Sequence, residues 1–169
     1  MRELALHYAG RYATTRHKLV RYLERKLRER GWEDDIEPDL EALAERFAEL
    51  GYVDDAGFAE ARTRSMLGRG YGQRRVDEAL RAAGVGEADR SSSDPDSDAM
   101  FRAALVFARK RQIGPFARDA ADPDRRRRQI QACLRAGHDF AVARALVEAD
   151  AMDAIMIDRL REIAQEEFQ

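Results

Sequence analysis

The chain has 169 residues, of which 44% are hydrophobic and 37% are charged. The charged fraction exceeds the roughly 25% of an average soluble protein, and the most abundant residues, Ala, Leu, Arg and Glu, favour helix. A net charge of −2 argues against a protein that coats DNA by charge alone, one cysteine excludes an internal disulfide, and the apolar runs are too short to cross a membrane. We therefore expect a helical protein of the cytoplasm.

Helical periodicity extends along the whole chain, because apolar residues recur at steps of three and four and no convincing run alternates with a period of two. Thr15 is suited to cap the second helix and Gly31 to follow its last turn. Pro38 is suited to the first turn of the third helix. The pattern predicts nine helices, over about residues 2–12, 15–30, 38–50, 54–67, 73–83, 99–112, 123–136, 139–148 and 152–168.

Residues 86–98 interrupt this pattern with five acidic residues and four serines, a composition typical of a flexible loop. The nine helices divide into three modules of three, over residues 1–51, 52–113 and 114–169. Each module is too small to bury much apolar area alone, so neighbouring modules have to stack. The expected fold is all-α, with tandem three-helix repeats and an elongated or curved outline.

Charge is distributed in alternating bands that can form basic stripes on a nearly neutral molecule. Residues 1–31 hold nine Lys or Arg and three Asp or Glu, whereas residues 32–60 hold one Arg and eleven acids. Two basic groups are candidates for binding a partner, and the second of them surrounds an aromatic residue between glycines. The first is Lys18, Arg21, Arg25 and Arg28, opposite the leucines of the second helix; the second is Arg62, Arg64, Arg69, Tyr71, Arg74 and Arg75.

A solvated surface is the alternative interpretation of any charged run, and we favour it for the four arginines at 125–128. Catalytic signals are weak by comparison. The three histidines are scattered, and Cys133 and His138 have no second pair with which to form a metal site. Gly68 to Gly72 follows a helix and lacks the ending of a phosphate-binding loop. We therefore expect no enzyme activity, no metal and no cofactor.

About 35 residues at the centre of the chain carry a specific set of motifs. The segment from Leu50 to Ala59 (LGYVDDAGFA) has Leu-Gly, an aromatic, an aliphatic, two acids and Phe-Ala, and it is followed by Arg69 to Val76 (RGYGQRRV) and by Gly84-Val85. In these motifs and in their spacing the chain resembles the RecX family. The flanks match more loosely, and in the last module His138 and Ala143 replace an aromatic and a larger aliphatic residue.

The resemblance implies tandem three-helix repeats and a regulator that lies in the groove of the RecA filament on single-stranded DNA. Such a protein restrains strand exchange, ATP hydrolysis and co-protease activity in DNA repair, recombination and the SOS response. A monomer is expected, and DNA inside the filament is a second expected contact. The alternative is a direct DNA-binding helical module, since short three-helix units often bind phosphates with basic helices.

Overall fold

The computed structural model describes residues 1–32, 38–119 and 121–149. These residues form α-helices and one short 3-10 turn at Gly114–Phe116, with no strand among them. The predicted helix over residues 152–168 lies outside the described residues. The helices are α1 Arg2–Arg11, α2 Arg16–Arg30, α3 Leu40–Glu49, α4 Asp55–Gly68, α5 Gln73–Ala82, α6 Glu87–Ser92, α7 Ser97–Arg111, α8 Pro123–Arg135 and α9 Phe140–Glu148.

Most helix ends lie where the sequence predicts them. The Thr15 hydroxyl accepts a hydrogen bond from the Lys18 amide, and Gly31 adopts a φ of +75° after α2. Asp122 caps α8 directly before Pro123. The start of the third helix was predicted too early, because Asp39 is the cap of α3 and Pro38 precedes it. The Asp39 side chain accepts the Ala42 amide, and this bond fixes the first turn.

The predicted loop over residues 86–98 is also partly wrong, because it contains α6 and the first residues of α7. Six residues of α6 are held at both ends by side-chain bonds that composition does not reveal. Arg90 donates to the Val85 carbonyl at 2.7 Å, and the Ser93 hydroxyl donates to the Arg90 carbonyl at 2.9 Å. The described residues contain nine α-helices, the number predicted for the whole chain, but the two sets differ: α6 is not predicted, and the predicted helix over residues 152–168 lies outside the described residues.

The described residues form two compact units, the first made of those within 1–62 and 78–94 and the second of those within 63–77 and from 95 onward. In the first unit, Leu19 and Leu23 of α2 are fully buried among the apolar residues of α1 and α3. In the second unit, Leu105, Cys133 and Leu146 bring α7, α8 and α9 together. The division into three modules stays a prediction.

Polar contacts bind distant segments of the first unit at the start of α2. The Thr15 hydroxyl, which is fully buried, donates to the Ala83 carbonyl at 2.6 Å. Asp55 is also buried, and its carboxylate accepts the Arg16 backbone amide at 2.9 Å and the Arg16 Nε at 3.1 Å. The neighbouring Asp54 caps α4 by accepting the Gly57 amide. The two acids of the central motif therefore have different structural roles.

Candidate binding surfaces

The predicted basic stripe of α2 lies in the first unit. Arg21, Arg25 and Arg28 are exposed, on the side of the helix away from its buried leucines. Arg25 is not isolated, because its Nε lies 3.7 Å from a Glu29 carboxylate oxygen. Its guanidinium also lies 5.6 Å from the centre of the Tyr22 ring. The stripe therefore combines cationic and aromatic surface.

Lys18 departs from the expected exposed stripe. Its ammonium lies 4.2 Å from the centre of the Phe58 ring, and the side chain is partly buried there. Burial lowers the pKa of Lys18, and the nearby charge of Arg62 lowers it further. The sequence groups Arg62 with the arginines around Tyr71, and this grouping stays a prediction. Arg62 belongs to the first unit and lies near Lys18, so the cationic surface of this unit includes residues of both α2 and α4.

The second candidate surface is built on the turn between α4 and α5, which belongs to the second unit. Backbone hydrogen bonds connect this turn to the turn between α8 and α9. The Gly72 amide donates to the Ala136 carbonyl at 2.9 Å, and the Arg74 amide donates to the Gly137 carbonyl at 3.2 Å. A Cβ added to Gly72 would overlap the Gly137 carbonyl group, so only glycine permits this approach.

Two further contacts hold the same turn from the side of α7. Gly70 has a φ of +88°, and a Cβ at this residue would lie 2.8 Å from the backbone nitrogen of Phe107. The Lys110 ammonium donates to the Arg69 carbonyl at 3.1 Å. Because two elements of the unit, α7 and the α8–α9 turn, contact the backbone of this turn, its side chains are presented from a fixed base.

The side chains at this turn belong to the second basic group that the sequence predicts. Tyr71 is 39% exposed, and the arginines on both sides of it are exposed as expected. An exposed aromatic among arginines has the composition of the residues that dominate protein–protein affinity. The members in the second unit are Arg64, Arg69, Tyr71, Arg74 and Arg75. Their role in binding stays a prediction.

His138 supports this surface, a role that the sequence alone does not predict. The side chain is 4% exposed, and its Nε2 donates to the Gly70 carbonyl at 3.1 Å, which requires the tautomer with the proton on Nε2. The ring also contacts Phe107, with 5.4 Å between ring centres. Burial lowers the pKa of His138, although the Gly70 carbonyl and the charge of Asp139 oppose that shift.

Other sequence candidates take ordinary structural roles. Arg126, Arg127 and Arg128 lie exposed at the start of α8, in agreement with a solvated surface. Cys133 is fully buried in the apolar core, where burial raises the pKa of its thiol. Within residues 1–32, 38–119 and 121–149, no three His, Cys, Asp or Glu side chains are placed to share a metal ion. No helix in this part of the chain is long and apolar enough to cross a membrane.

One group of residues was not predicted as a site. Tyr8 of α1 stacks on Tyr22 of α2, and Tyr12 lies beside them on the surface. The available signal was the spacing of four residues between Tyr8 and Tyr12, with Arg11 next to them. The partner ring on α2 is not visible in that spacing, because it depends on how the two helices pack.

Fold and surface together define an all-helical protein that presents arginine-rich surfaces on helices and on one rigid turn. No protein-family model matches the chain. The chain does match individual proteins over most of its length. The Regulatory protein RecX of Halorhodospira halophila is 34% identical over 151 residues, which cover 88% of this chain and 87% of that protein. The Regulatory protein RecX of Myxococcus xanthus is 29% identical over 159 residues, covering 86% of this chain and 83% of the relative. The chain belongs to the RecX family.

The fold agrees with this assignment. The crystal structure of RecX from Lactobacillus salivarius superposes with a TM-score of 0.68, covering 87% of this chain and 92% of that one. Sequence identity in that pair is 17%, so the likeness concerns the fold. It confirms the predicted all-α class and is consistent with a tandem-repeat arrangement.

Proposed function

We propose that this protein is a non-enzymatic regulator that binds the RecA filament and restrains its strand exchange, ATP hydrolysis and co-protease activity. Membership of a family whose relatives are named regulatory proteins supports a regulatory role. The RecA filament as the target follows from the family resemblance of the central motif.

The observation that carries the proposal is the rigid α4–α5 turn with Tyr71 among exposed arginines. Its backbone is fixed by the α8–α9 turn, so binding a partner costs little ordering of this segment. The arginines favour an acidic or phosphate-bearing surface, and Tyr71 adds apolar contact at the middle of the patch. A filament of protein on single-stranded DNA offers both kinds of surface.

The test is a charge reversal at this turn. We expect Arg69→Glu with Arg74→Glu to weaken inhibition of RecA-driven ATP hydrolysis on single-stranded DNA by at least about tenfold at moderate salt. Both side chains are exposed, and the backbone bonds of Arg69 and Arg74 do not depend on them, so the fold should persist. The difference should shrink at high salt, where exposed charges are screened.

The matched control reverses two exposed arginines elsewhere in the same unit, Arg127→Glu with Arg128→Glu on α8. This change alters the net charge equally, and among the described residues the ion pair it disturbs is the exposed one between Arg127 and Asp124 at 3.7 Å. The control should inhibit like the wild type. Equal inhibition by the turn variant and the wild type would move the binding surface away from the turn, with Arg21, Arg25 and Arg28 of α2 as the next surface to reverse.

A further inference from the structure

An open cleft of about 440 Å³ lies on the first unit between α1 and α2. Its walls are largely aromatic. Tyr8 and Tyr22 stack with ring centres 4.1 Å apart and an angle of 11° between the planes. Tyr12, one helical turn after Tyr8, lies 5.5 Å from it at 50° and is 53% exposed. The cleft therefore presents an accessible tyrosine ring next to a fixed pair of stacked rings.

The rim of the cleft is cationic. The Arg11 guanidinium lies 5.8 Å from the centre of the Tyr12 ring. Arg25 covers Tyr22 in a similar way, and Lys26 completes the basic lining. One carboxylate opposes them, because Glu29 accepts a hydrogen bond from the Lys26 ammonium at 2.6 Å. That bond lowers the pKa of Glu29, so the carboxylate stays ionised and the group of four retains two net positive charges.

We propose that this cleft binds an unpaired base of a single-stranded nucleic acid together with the adjoining phosphate. An exposed tyrosine face accepts a base of any sequence by stacking, and arginines beside the ring bind the backbone, which is how proteins hold single strands. The volume falls within the usual range of small-ligand sites. A duplex does not fit the cleft in this way, because its bases stack on each other and expose only their edges.

An acidic peptide is the other ligand class that arginines and tyrosines favour. It would satisfy the cations, but it has no flat ring to place against Tyr12, so the arrangement of the rings favours the base. The proposal goes beyond the proposed function because it concerns nucleic acid in the absence of RecA. Of its residues only Arg25 belongs to the surfaces predicted from the sequence. The net charge of −2 predicts that the contact is weak at physiological salt.

The experiment measures binding of a short fluorescent oligothymidylate at low salt by anisotropy, with no RecA present. Tyr12→Ala should weaken affinity by about 5- to 150-fold, the range for loss of one base–aromatic stack. Tyr12→Phe keeps the ring and should bind like the wild type. Arg11→Gln should reduce the slope of log affinity against log salt by about 0.7, the contribution of one phosphate contact on a single strand.

Tyr52 supplies the matched control. It is 51% exposed in the same unit, on the turn after α3, and its ring contacts Phe47 rather than the cleft. Tyr52→Ala should leave affinity unchanged. Photo-crosslinking with an iodouracil-substituted oligonucleotide should place the adduct on a tyrosine of the cleft.

Three results would overturn the proposal: no binding by the wild type, equal affinity of the Tyr12→Ala and wild-type proteins, or equal affinity for single strand and duplex. Loss of RecA binding by Tyr12→Ala with unchanged affinity for the oligonucleotide would identify the cleft as a protein interface instead. Because the assay contains no RecA, failure here leaves the proposed regulation of RecA standing. Circular dichroism checks that each variant is folded.

Discussion

Replacement of Thr15 by valine removes one buried hydroxyl while keeping the size and shape of the side chain. The hydroxyl makes two hydrogen bonds. It donates to the Ala83 carbonyl at 2.6 Å, which joins the start of α2 to the end of α5, and it accepts the Lys18 amide at 3.2 Å, which caps α2. The side chain is fully buried, so water does not replace either bond without movement of the backbone. The variant therefore isolates the contribution of hydrogen bonding from that of packing.

The expected loss follows from those two bonds. A buried acceptor that loses its donor costs about 1–3 kcal/mol, and loss of an N-cap costs about 1 kcal/mol. Thr15→Val should therefore lower the free energy of unfolding by about 2–4 kcal/mol. Thr15→Ser keeps the hydroxyl and deletes one methyl group, so it should cost only about 1 kcal/mol.

Urea denaturation followed by far-ultraviolet circular dichroism measures both variants. The slope of the unfolding free energy against urea should stay constant, since neither change alters the surface exposed on unfolding. The serine variant should lie closer to the wild type than the valine variant. The opposite order would mean that apolar packing at this position outweighs the two hydrogen bonds, and it would refute the role assigned to the hydroxyl.

Three further predictions concern stability, two in the second unit and one in the first. Because burial lowers the pKa of His138 below its ordinary value of 6.5, the unfolded chain binds a proton more readily than the folded chain as the pH falls below about 6.5. The free energy of unfolding should then fall by up to about 1.4 kcal/mol for each pH unit. His138→Phe should remove this dependence on pH. The control His7→Gln, at an exposed site, should keep it. Thermal unfolding between pH 7 and 5.5 measures the difference, and parallel curves for the wild type and His138→Phe would refute it. Gly114→Ala should lower the melting temperature, because φ is +56° and a Cβ would overlap the backbone of α9. At Gly10 of α1, where a Cβ meets nothing, alanine should raise stability by about 0.5–1 kcal/mol.

The sequence predicts what depends on neighbours along the chain. Thr15 caps α2 as predicted, because a cap is formed by a side chain and an amide three residues later. The sequence fails where a distant residue decides. α6 forms although its composition favours a loop, and of the neighbouring apolar residues Tyr52 and Val53 the first is half exposed and the second is buried.

The candidate surfaces show the same difference between features set by neighbours along the chain and features set by distant residues. Helical periodicity suffices to place Arg21, Arg25 and Arg28 on the outside of α2. Periodicity does not reveal that Lys18 lies over Phe58, because that contact joins α2 to α4. It also does not reveal the support of the α4–α5 turn by His138, which is 68 residues away from Gly70. Contacts of this kind depend on tertiary packing. No local pattern in a single sequence reveals them.

Direct binding to the RecA filament is the central claim, and co-sedimentation tests it most directly. RecA is assembled on short single-stranded DNA with a non-hydrolysable ATP analogue, and increasing amounts of the protein are added before centrifugation. Short DNA alone does not sediment, so protein in the pellet reports binding to the filament. We predict saturable co-sedimentation that the Arg69→Glu, Arg74→Glu variant loses at moderate salt and the Arg127→Glu, Arg128→Glu variant retains. Wild-type protein that stays in the supernatant at every concentration would contradict the claim.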